Sequence, residues 1–349
     1  MLQSENPNNL LKVAVVILNW NGEYYLKKFL GNVLEHSQNE YTEVIVADNA
    51  STDNSVEWLK ENHPGVKIIQ NKLNEGFARG YNEALKQVDA EYYVLLNSDV
   101  EVTPHWIEPV VQLMDKNPDV SAVQPKILAY HDRESFEYAG AAGGFIDKYG
   151  YPFCRGRFFQ HMEKDTGQYD DTCEVFWATG ACMFVRSKVY HELGGLDGDF
   201  FAHMEEIDFC WRMKQKGYRI MFTPESKVFH VGGGTLPKSS SFKTYLNIRN
   251  NNAMLYKNLP RKQLSKVIFM RLVLDGIAGI KFFIDGGMKD LLAVIKAHLH
   301  FYKMIPRLKQ KRRQINPHEV SYVYRKNIVA DHYLRGKKAF SQLNPKKFR

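Results

Sequence analysis

Two short acidic runs in this chain carry the residue types that phosphate and acid–base chemistry require. Asn97-Ser98-Asp99 places one hard oxygen ligand at the end of an aliphatic stretch. A small divalent cation needs only one or two protein carboxylates when substrate phosphates complete its shell, so Asp99 suffices to hold Mg²⁺ or Mn²⁺. A cation bridging a diphosphate offsets the charge that builds as the diphosphate leaves. Glu205-Glu206-Ile207-Asp208 sets three carboxylates at the start of a helical segment. They fit general-base chemistry, and they equally fit the ordinary acidity of a helix start, which the helix dipole favours.

The elements that must position these runs follow from hydrophobic periodicity. Val13–Leu18 is a nearly unbroken aliphatic run, as in a strand buried on both faces of a parallel sheet. Further strands are expected at Val44–Ala47, Val66–Ile69, Tyr92–Leu96 and Val120–Val123. Helices are expected between them, around Tyr25–Leu34, over Ser55–Lys60 with Asp53 as N-cap, over Phe77–Val88, and over Trp106–Met114 opened by Pro104. This βαβα order predicts a doubly wound α/β sheet, in which ligands sit at the carboxyl ends of the strands.

Those ends are where the polar residues gather. One strand runs out into Asn19-Trp20-Asn21-Gly22, another into Asp48-Asn49-Ala50-Ser51-Thr52-Asp53, a third into Asn97-Ser98-Asp99. Any one of them is explained by turn chemistry; all three together point to a ligand. After about residue 130 the alternation breaks. Gly140, Gly143 and Gly144 predict a hairpin or a close backbone approach, and Arg155–Asp171 an irregular polar loop. Strands are expected at Glu174–Trp177 and Cys182–Val185, helices at Lys188–Leu193 and Glu206–Lys216.

The 349 residues are enough for one large α/β domain with an appendage, and 44% hydrophobic with 25% charged residues is the balance of a folded protein. Cys154, Cys173, Cys182 and Cys210 form no zinc-like spacing. With no secretory leader before the first strand they read as free thiols in a reducing compartment, which predicts a cytoplasmic location. The formal charge of +8 favours an anionic partner, and the basic residues concentrate in the C-terminal part. The most apolar stretch, Val267–Ile284, is broken by Arg271, Asp275 and Lys281, which suits lying on a membrane better than crossing it.

The ordered set of runs resembles the family-two inverting glycosyltransferases, most closely their bacterial rhamnosyltransferase-like branch. It comprises Val15–Gly22, Val46–Asp53, Asn74-Glu75-Gly76-Phe77-Ala78-Arg79-Gly80-Tyr81-Asn82, Leu95–Asp99, Trp177-Ala178-Thr179-Gly180-Ala181, Phe200–Arg212, and His230 with Gly232-Gly233-Gly234-Thr235. The resemblance covers roughly residues 12–235 and implies a GT-A fold, a doubly wound, mostly parallel sheet, here with a helical C-terminal extension. It implies a catalytic domain over 1–235 and a basic, mainly helical region over 236–349. By position Asn19, Asn21, Asp48, Asn49, Asp53, Gly76, Asn82 and Asn97 would hold the nucleotide-sugar donor. Asp99 would bind a divalent cation, with His230 either completing its shell or structural. Trp177, Thr179 and Gly180 would line the acceptor or donor-sugar pocket, Trp177 being equally suited to the core. Glu206 would be the general base, with Glu205 and Asp208 as competitors.

Two departures stand out: the metal motif opens with Asn97 instead of a carboxylate, and the usual Glu-Asp pair reads Glu205-Glu206. The processive Gln-x-x-Arg-Trp motif is absent, so one sugar is expected per encounter. The acceptor is expected to be a glycan or lipid-linked glycan in cell-surface polysaccharide assembly. The segment after Phe242, basic and aromatic, suits either an anionic membrane surface, on the inner face of the cell membrane, or packing on the catalytic domain with a solvated face. The rival class is a catalytically inactive nucleotide-sugar-binding scaffold. A nucleic-acid partner is not expected, since no such module is present, and a dinucleotide oxidoreductase would need G-x-G-x-x-G where Asn19-Trp20-Asn21-Gly22 stands.

Overall fold

The computed structural model describes residues 11–232 and 240–348. The first half alternates as its periodicity requires: β1 (Leu11–Asn19), α1 (Glu23–Ser37), β2 (Thr42–Asp48), α2 (Ser55–Asn62), β3 (Lys67–Gln70), α3 (Gly76–Leu85) and β4 (Ala90–Asn97). Next come β5 (Val100–Val102), α4 (Glu108–Lys116) and β6 (Val120–Ala129). A small outlying layer follows as β7 (Gly144–Asp147), β8 (Pro152–Cys154), β9 (Arg157–Phe158) and β10 (His161–Met162). The chain returns through β11 (Cys173–Val175), β12 (Cys182–Arg186), α5 (Ser187–Glu192), α6 (Glu205–Gln215) and β13 (Arg219–His230). The C-terminal region is α7 (Ser241–Asn258), α8 (Arg261–Gly286), α9 (Met288–Ile315), β14 (Val323–Tyr324) and α10 (Ile328–Tyr333).

The described residues form a nine-stranded sheet in the order β11-β13-β6-β12-β4-β1-β2-β3, with β5 paired to β13. The β4-β1-β2-β3 half is parallel, and the middles of β1, β2 and β4 are buried and apolar on both faces. Side chains of opposite pleat feed two separate core clusters, Ala14, Val16, Ile45 and Leu95 on one face, and Val13, Val15, Val44 and Val94 on the other. The doubly wound, mostly parallel α/β sheet expected from the sequence is the fold of this chain. Beyond β4 the antiparallel β12 is inserted between β4 and β6.

Several local expectations need correction. Asp53 lies one residue outside the cap of α2, at Asn54. Its carboxylate accepts from Ser55 N (3.1 Å) and from Glu23 N (3.0 Å), and so ties the starts of α1 and α2 together. Trp106 is not in a helix: it is wholly buried, its indole N–H donates to Ser37 Oγ (3.1 Å), and α4 starts at Glu108 with Pro109 in its first turn. The 155–171 segment is not wholly irregular, since it holds β9 and β10, and Arg155 and Arg157 are buried beside Asp171 and the Tyr138 ring. The close approach predicted at the glycines does occur. A methyl on Gly144 would run into the Trp177 indole, and one on Gly143, at φ +98°, into Val175.

The C-terminal helices pack on the catalytic side chiefly through α7, and β14 pairs in parallel with β7 in the second sheet. All four cysteines are free. No helix among the described residues is long and apolar enough to cross a membrane.

Candidate active site

Register turns the three strand exits into one row. Asn19 lies level with Asp48 across β1 and β2, Asp48 with Gln70, and Leu18 with Asn97 across β1 and β4. Asn19 is buried, and its amide donates to Asp48 Oδ1 (3.1 Å) and to Ser51 Oγ (3.1 Å). Asp48 Oδ2 accepts from Ser51 N (3.0 Å), which closes the loop after β2 on itself. Asn21, at φ 50°, accepts from Thr52 N (2.7 Å), so the first two exits are stitched together. Asn49 donates to Asn74 Oδ1 (2.9 Å) and accepts from Asn71 Nδ2 (3.1 Å), bringing in the Asn-Glu-Gly-Phe turn. Ser51, Asn71 and Asn74 thus belong to the scaffold of the row.

At the exit of β4, Asp99, His230 and Glu137 form a buried triad. His230 Nε2 is 3.1 Å from Asp99 Oδ1, and its Nδ1 is 3.4 Å from Glu137 Oε2. Burial pulls the imidazole down, but the two carboxylates outweigh it and lift it to about 10. Burial pushes Asp99 up, and the His230 charge and hydrogen bond bring it below the usual carboxylate range. Gly232 N donates to Asp99 Oδ2 (3.2 Å), and Asn97 Nδ2 reaches within 3.4 Å of His230 Nε2. Glu137 has no signal in the sequence: it lies in the stretch where periodicity fails, and only the fold brings it to His230.

The acidic run sits behind a strained turn. Phe201, His203 and Met204 all have left-handed backbone, at φ 66°, 70° and 74°. The turn is held from two sides. Phe201 O accepts from Phe77 N (2.7 Å) in the Asn-Glu-Gly-Phe turn, against Gly76, whose φ of +87° and lack of a side chain allow the approach. From α7, Asn250 Nδ2 donates to the carbonyls of Phe200 (2.9 Å), Ala202 (2.9 Å) and His203 (2.8 Å). The chain therefore enters α6 from a turn fixed against the start of α3.

The three carboxylates of this run differ. Glu206 is only partly buried, yet its Oε2 is enclosed and accepts no hydrogen bond among the described residues. Burial outweighs the helix-start N–H groups and raises it to about 7. Cys210, one turn on, takes a hydrogen bond from Ala178 N (3.4 Å), so Glu206 lies on the face of α6 turned to residues 177–181. Glu205 is buried, and burial with the Glu206 charge pushes it well above the carboxylate range. Asp208 faces elsewhere: wholly buried, it accepts from Arg212 Nε (2.9 Å), Lys257 Nζ (2.9 Å) and Asn258 Nδ2 (2.8 Å). It anchors α6 to α7 and has no face left for an acceptor.

Two more of the expected site residues, Trp177 of the sugar pocket and Asn82 of the donor set, are tied to neighbouring segments. The Trp177 indole N–H donates to Phe145 O (3.0 Å) and its ring covers Gly144. Asn82 donates to Leu196 O (2.7 Å) and accepts from Leu196 N (2.9 Å) and Tyr190 Oη (2.7 Å), so its amide pins the loop before α6. Thr179 is buried and its N–H donates to Gln124 Oε1 (2.9 Å), and Gly180 lies under the Phe77 ring. Gly233, Gly234 and Thr235 lie outside the described residues. Asn82→Ala is expected to cost about 1–3 kcal/mol by stranding buried partners. A urea midpoint measures that loss, and nucleotide-sugar affinity of the folded fraction should stay at the parent value.

The donor set suits a cation shared with a substrate. Asp99 offers a carboxylate oxygen, and His230 beside it could add an imidazole nitrogen only by giving up the proton that the two carboxylates hold on it; no group of three or more His, Cys, Asp or Glu able to hold a metal occurs among the described residues. Such a pair leaves most of a shell to phosphate oxygens and water, as Mg²⁺ sites commonly do.

Residues 14–194 match the family model of Glycosyl transferase family 2. An N-acetylglucosaminyl-diphospho-decaprenol L-rhamnosyltransferase of Mycobacterium tuberculosis is 24% identical over 235 residues, which are 62% of this chain and 75% of that protein. Among solved structures, GalNAc-T7 with UDP, GalNAc and Mn²⁺ superposes with a TM-score of 0.55 at 18% identity, over 73% of this chain and 49% of that one. This chain thus spans about half of that structure's length. A mannosyltransferase from Pyrobaculum calidifontis, in complex with GDP-Man and Mn²⁺, gives a TM-score of 0.52 at 15% identity over 96% of this chain and 90% of that one. Both likenesses are of fold.

Proposed function

The chain belongs to glycosyl transferase family 2, and from that premise we propose that it moves one sugar from a nucleotide-diphosphate donor to an acceptor hydroxyl by single displacement with inversion. It is a GT-A glycosyltransferase of the rhamnosyltransferase-like kind. The observation that carries the proposal is the Glu206 carboxylate, whose Oε2 is enclosed and accepts no hydrogen bond among the described residues, on the face of α6 turned to residues 177–181. In this reading Asn19, Asn21, Asp48, Asn49 and Asp53 shape the nucleoside end through the stitched loops, and Gly76 gives the close approach that joins donor and acceptor sides. Asp99 would hold a Mg²⁺ or Mn²⁺ ion, with His230 and Asn97 beside it; when bound, such an ion would supply charge neutralisation for the leaving group. Glu206 accepts the acceptor's hydroxyl proton, and Glu205, kept neutral by burial and by its neighbour, donates to or orients the acceptor. Thr179 and Gly180 line the sugar pocket.

The donor and base chemistry lies in residues 1–235, with 236–349 as a basic, mainly helical brace. The relative's name supports a lipid-linked glycan acceptor, and the structures bound to UDP and to GDP-Man support a nucleotide-sugar donor. A panel of nucleotide sugars, each with Mn²⁺, tests the donor half. One of them should raise the melting temperature, since a ligand bound to the folded state stabilises by mass action. No shift with any donor, with or without Mn²⁺, overturns the reading; a shift without turnover favours an inactive nucleotide-sugar-binding scaffold.

A further inference from the structure

Helix α8 is built inside out. Its buried positions at four-residue spacing are Val267, Arg271, Asp275 and Gly279, so two of its charges face the protein. There they are used: Arg271 Nη2 pairs with Asp275 Oδ1 (3.0 Å) and its guanidinium lies 3.8 Å over the Tyr151 ring. Asp275 Oδ2 accepts from Asn252 Nδ2 (3.1 Å) of α7 and lies 3.1 Å from His298 Nε2 of α9. Burying an ion pair while leaving aliphatic residues outside reverses the usual amphipathicity of a surface helix. Those outward residues are large: Phe269 is 63% exposed, Ile277 60%, Ile280 61% and Ile284 75%.

Helix α9 continues this face. Met288, Leu292, Ile295, Leu299 and Tyr302 are exposed along one stripe, and Lys289, Lys296 and Lys303 are exposed beside them at seven-residue intervals. The two helices are set close where Gly279 leaves room for Leu291 and Val294, so their apolar stripes belong to one helical pair. Residues 261–315 hold thirteen Lys and Arg against three Asp, an excess larger than the +8 of the whole chain.

We propose that the α8–α9 pair is a membrane-docking surface, its aliphatic face lying in the interfacial region of an anionic bilayer with Lys289, Lys296 and Lys303 reaching the headgroups. An aliphatic stripe edged by lysines is the pattern of a helix lying in the interface plane, where lysine stems run along the apolar surface and the ammonium groups meet lipid phosphates. The charge excess selects anionic lipid over a second copy of this chain, whose equally basic pair would repel it. Lying flat also agrees with the absence, among the described residues, of a helix able to cross. This surface is independent of the transfer reaction, since none of its residues belongs to the donor or acceptor site.

Flotation of the full chain with phosphatidylcholine vesicles, with and without phosphatidylglycerol, tests the proposal. The protein should float with the anionic vesicles, and less so at high salt. Replacing Lys289, Lys296 and Lys303 together by Gln should weaken partition onto anionic vesicles by about 10²-fold. Ile277→Glu with Ile280→Glu should abolish it, at positions already exposed to solvent. Should that variant fail to fold, Phe283→Trp reports on the otherwise unchanged protein: its emission should shift to the blue and be quenched by brominated lipid. No flotation on anionic vesicles, or indole emission from the Phe283→Trp variant that is indifferent to them, overturns the proposal. So does a dimer in buffer that the two glutamates convert to monomer while lipid binding stays nil, which would give the face to a second copy.

Discussion

Glu206→Gln lowers the turnover number by about 10²–10⁴-fold, the usual worth of a positioned general base, and leaves donor affinity at the parent value. The amide keeps the size of the side chain and removes its capacity to take a proton. The carboxylate it replaces has one enclosed oxygen that accepts no hydrogen bond among the described residues, and it is turned toward residues 177–181. Glu206→Asp keeps part of the activity, since the acid remains but one methylene of reach is lost. The pH profile carries a second signature. A base works ionised, and burial holds this group near 7, so the rate should climb with pH through about 7 instead of levelling in the carboxylate range. The same raised value means that the folded state keeps this proton to higher pH than the unfolded chain. Between the ordinary carboxylate range and about 7, rising pH therefore costs stability. Steady-state kinetics of the two variants across that range decide the matter. Normal turnover of Glu206→Gln with a dead Glu205→Gln moves the base by one residue, and normal turnover of both removes the mechanism.

Asp99→Ala is expected to lose about 10³-fold in turnover, corresponding to about 4 kcal/mol of stabilisation at the leaving diphosphate. EDTA should do the same to the parent protein, and added Mn²⁺ should restore the parent but not the variant. Manganese binding followed by electron paramagnetic resonance, in the presence of the nucleoside diphosphate, separates loss of the ion from loss of the fold. Full activity in EDTA contradicts a cation at Asp99.

Much of the sheet was legible because buried parallel strands leave a direct trace: Val13–Leu18 is aliphatic and Tyr92–Leu96 apolar on both faces, and the strand ends carry polar residues. What was not legible depends on partners far away in sequence. Asn82 looked like a ligand-binding amide because nothing local announces Leu196 and Tyr190, to which its amide is hydrogen-bonded. Trp177 is placed in the core by Gly144, 33 positions earlier, whose bare Cα makes room for the ring. Asp208 shares a run with Glu206, but α6 turns it toward Lys257 and Asn258, about fifty residues later in the chain. The helix signal at Trp106 failed because an apolar residue before a proline-opened helix fits the same periodicity as one within it.

The fork of Asn250 onto three carbonyls of the 200–203 turn has a bearing on how this enzyme can be recombined with its relatives. The unit that must travel together in a graft is discontinuous: a transplanted acidic segment needs its amide from α7, some forty-five residues downstream. A seam cut at the end of the sheet would carry the acidic segment across and leave behind the side chain that holds its turn. The Ala202 and His203 carbonyls would then lose that donor, Phe200 O would keep Ala202 N, and a backbone with three left-handed residues would be free to relax. Exchange of acceptor preference by swapping parts therefore has its natural joint after α7, not before it.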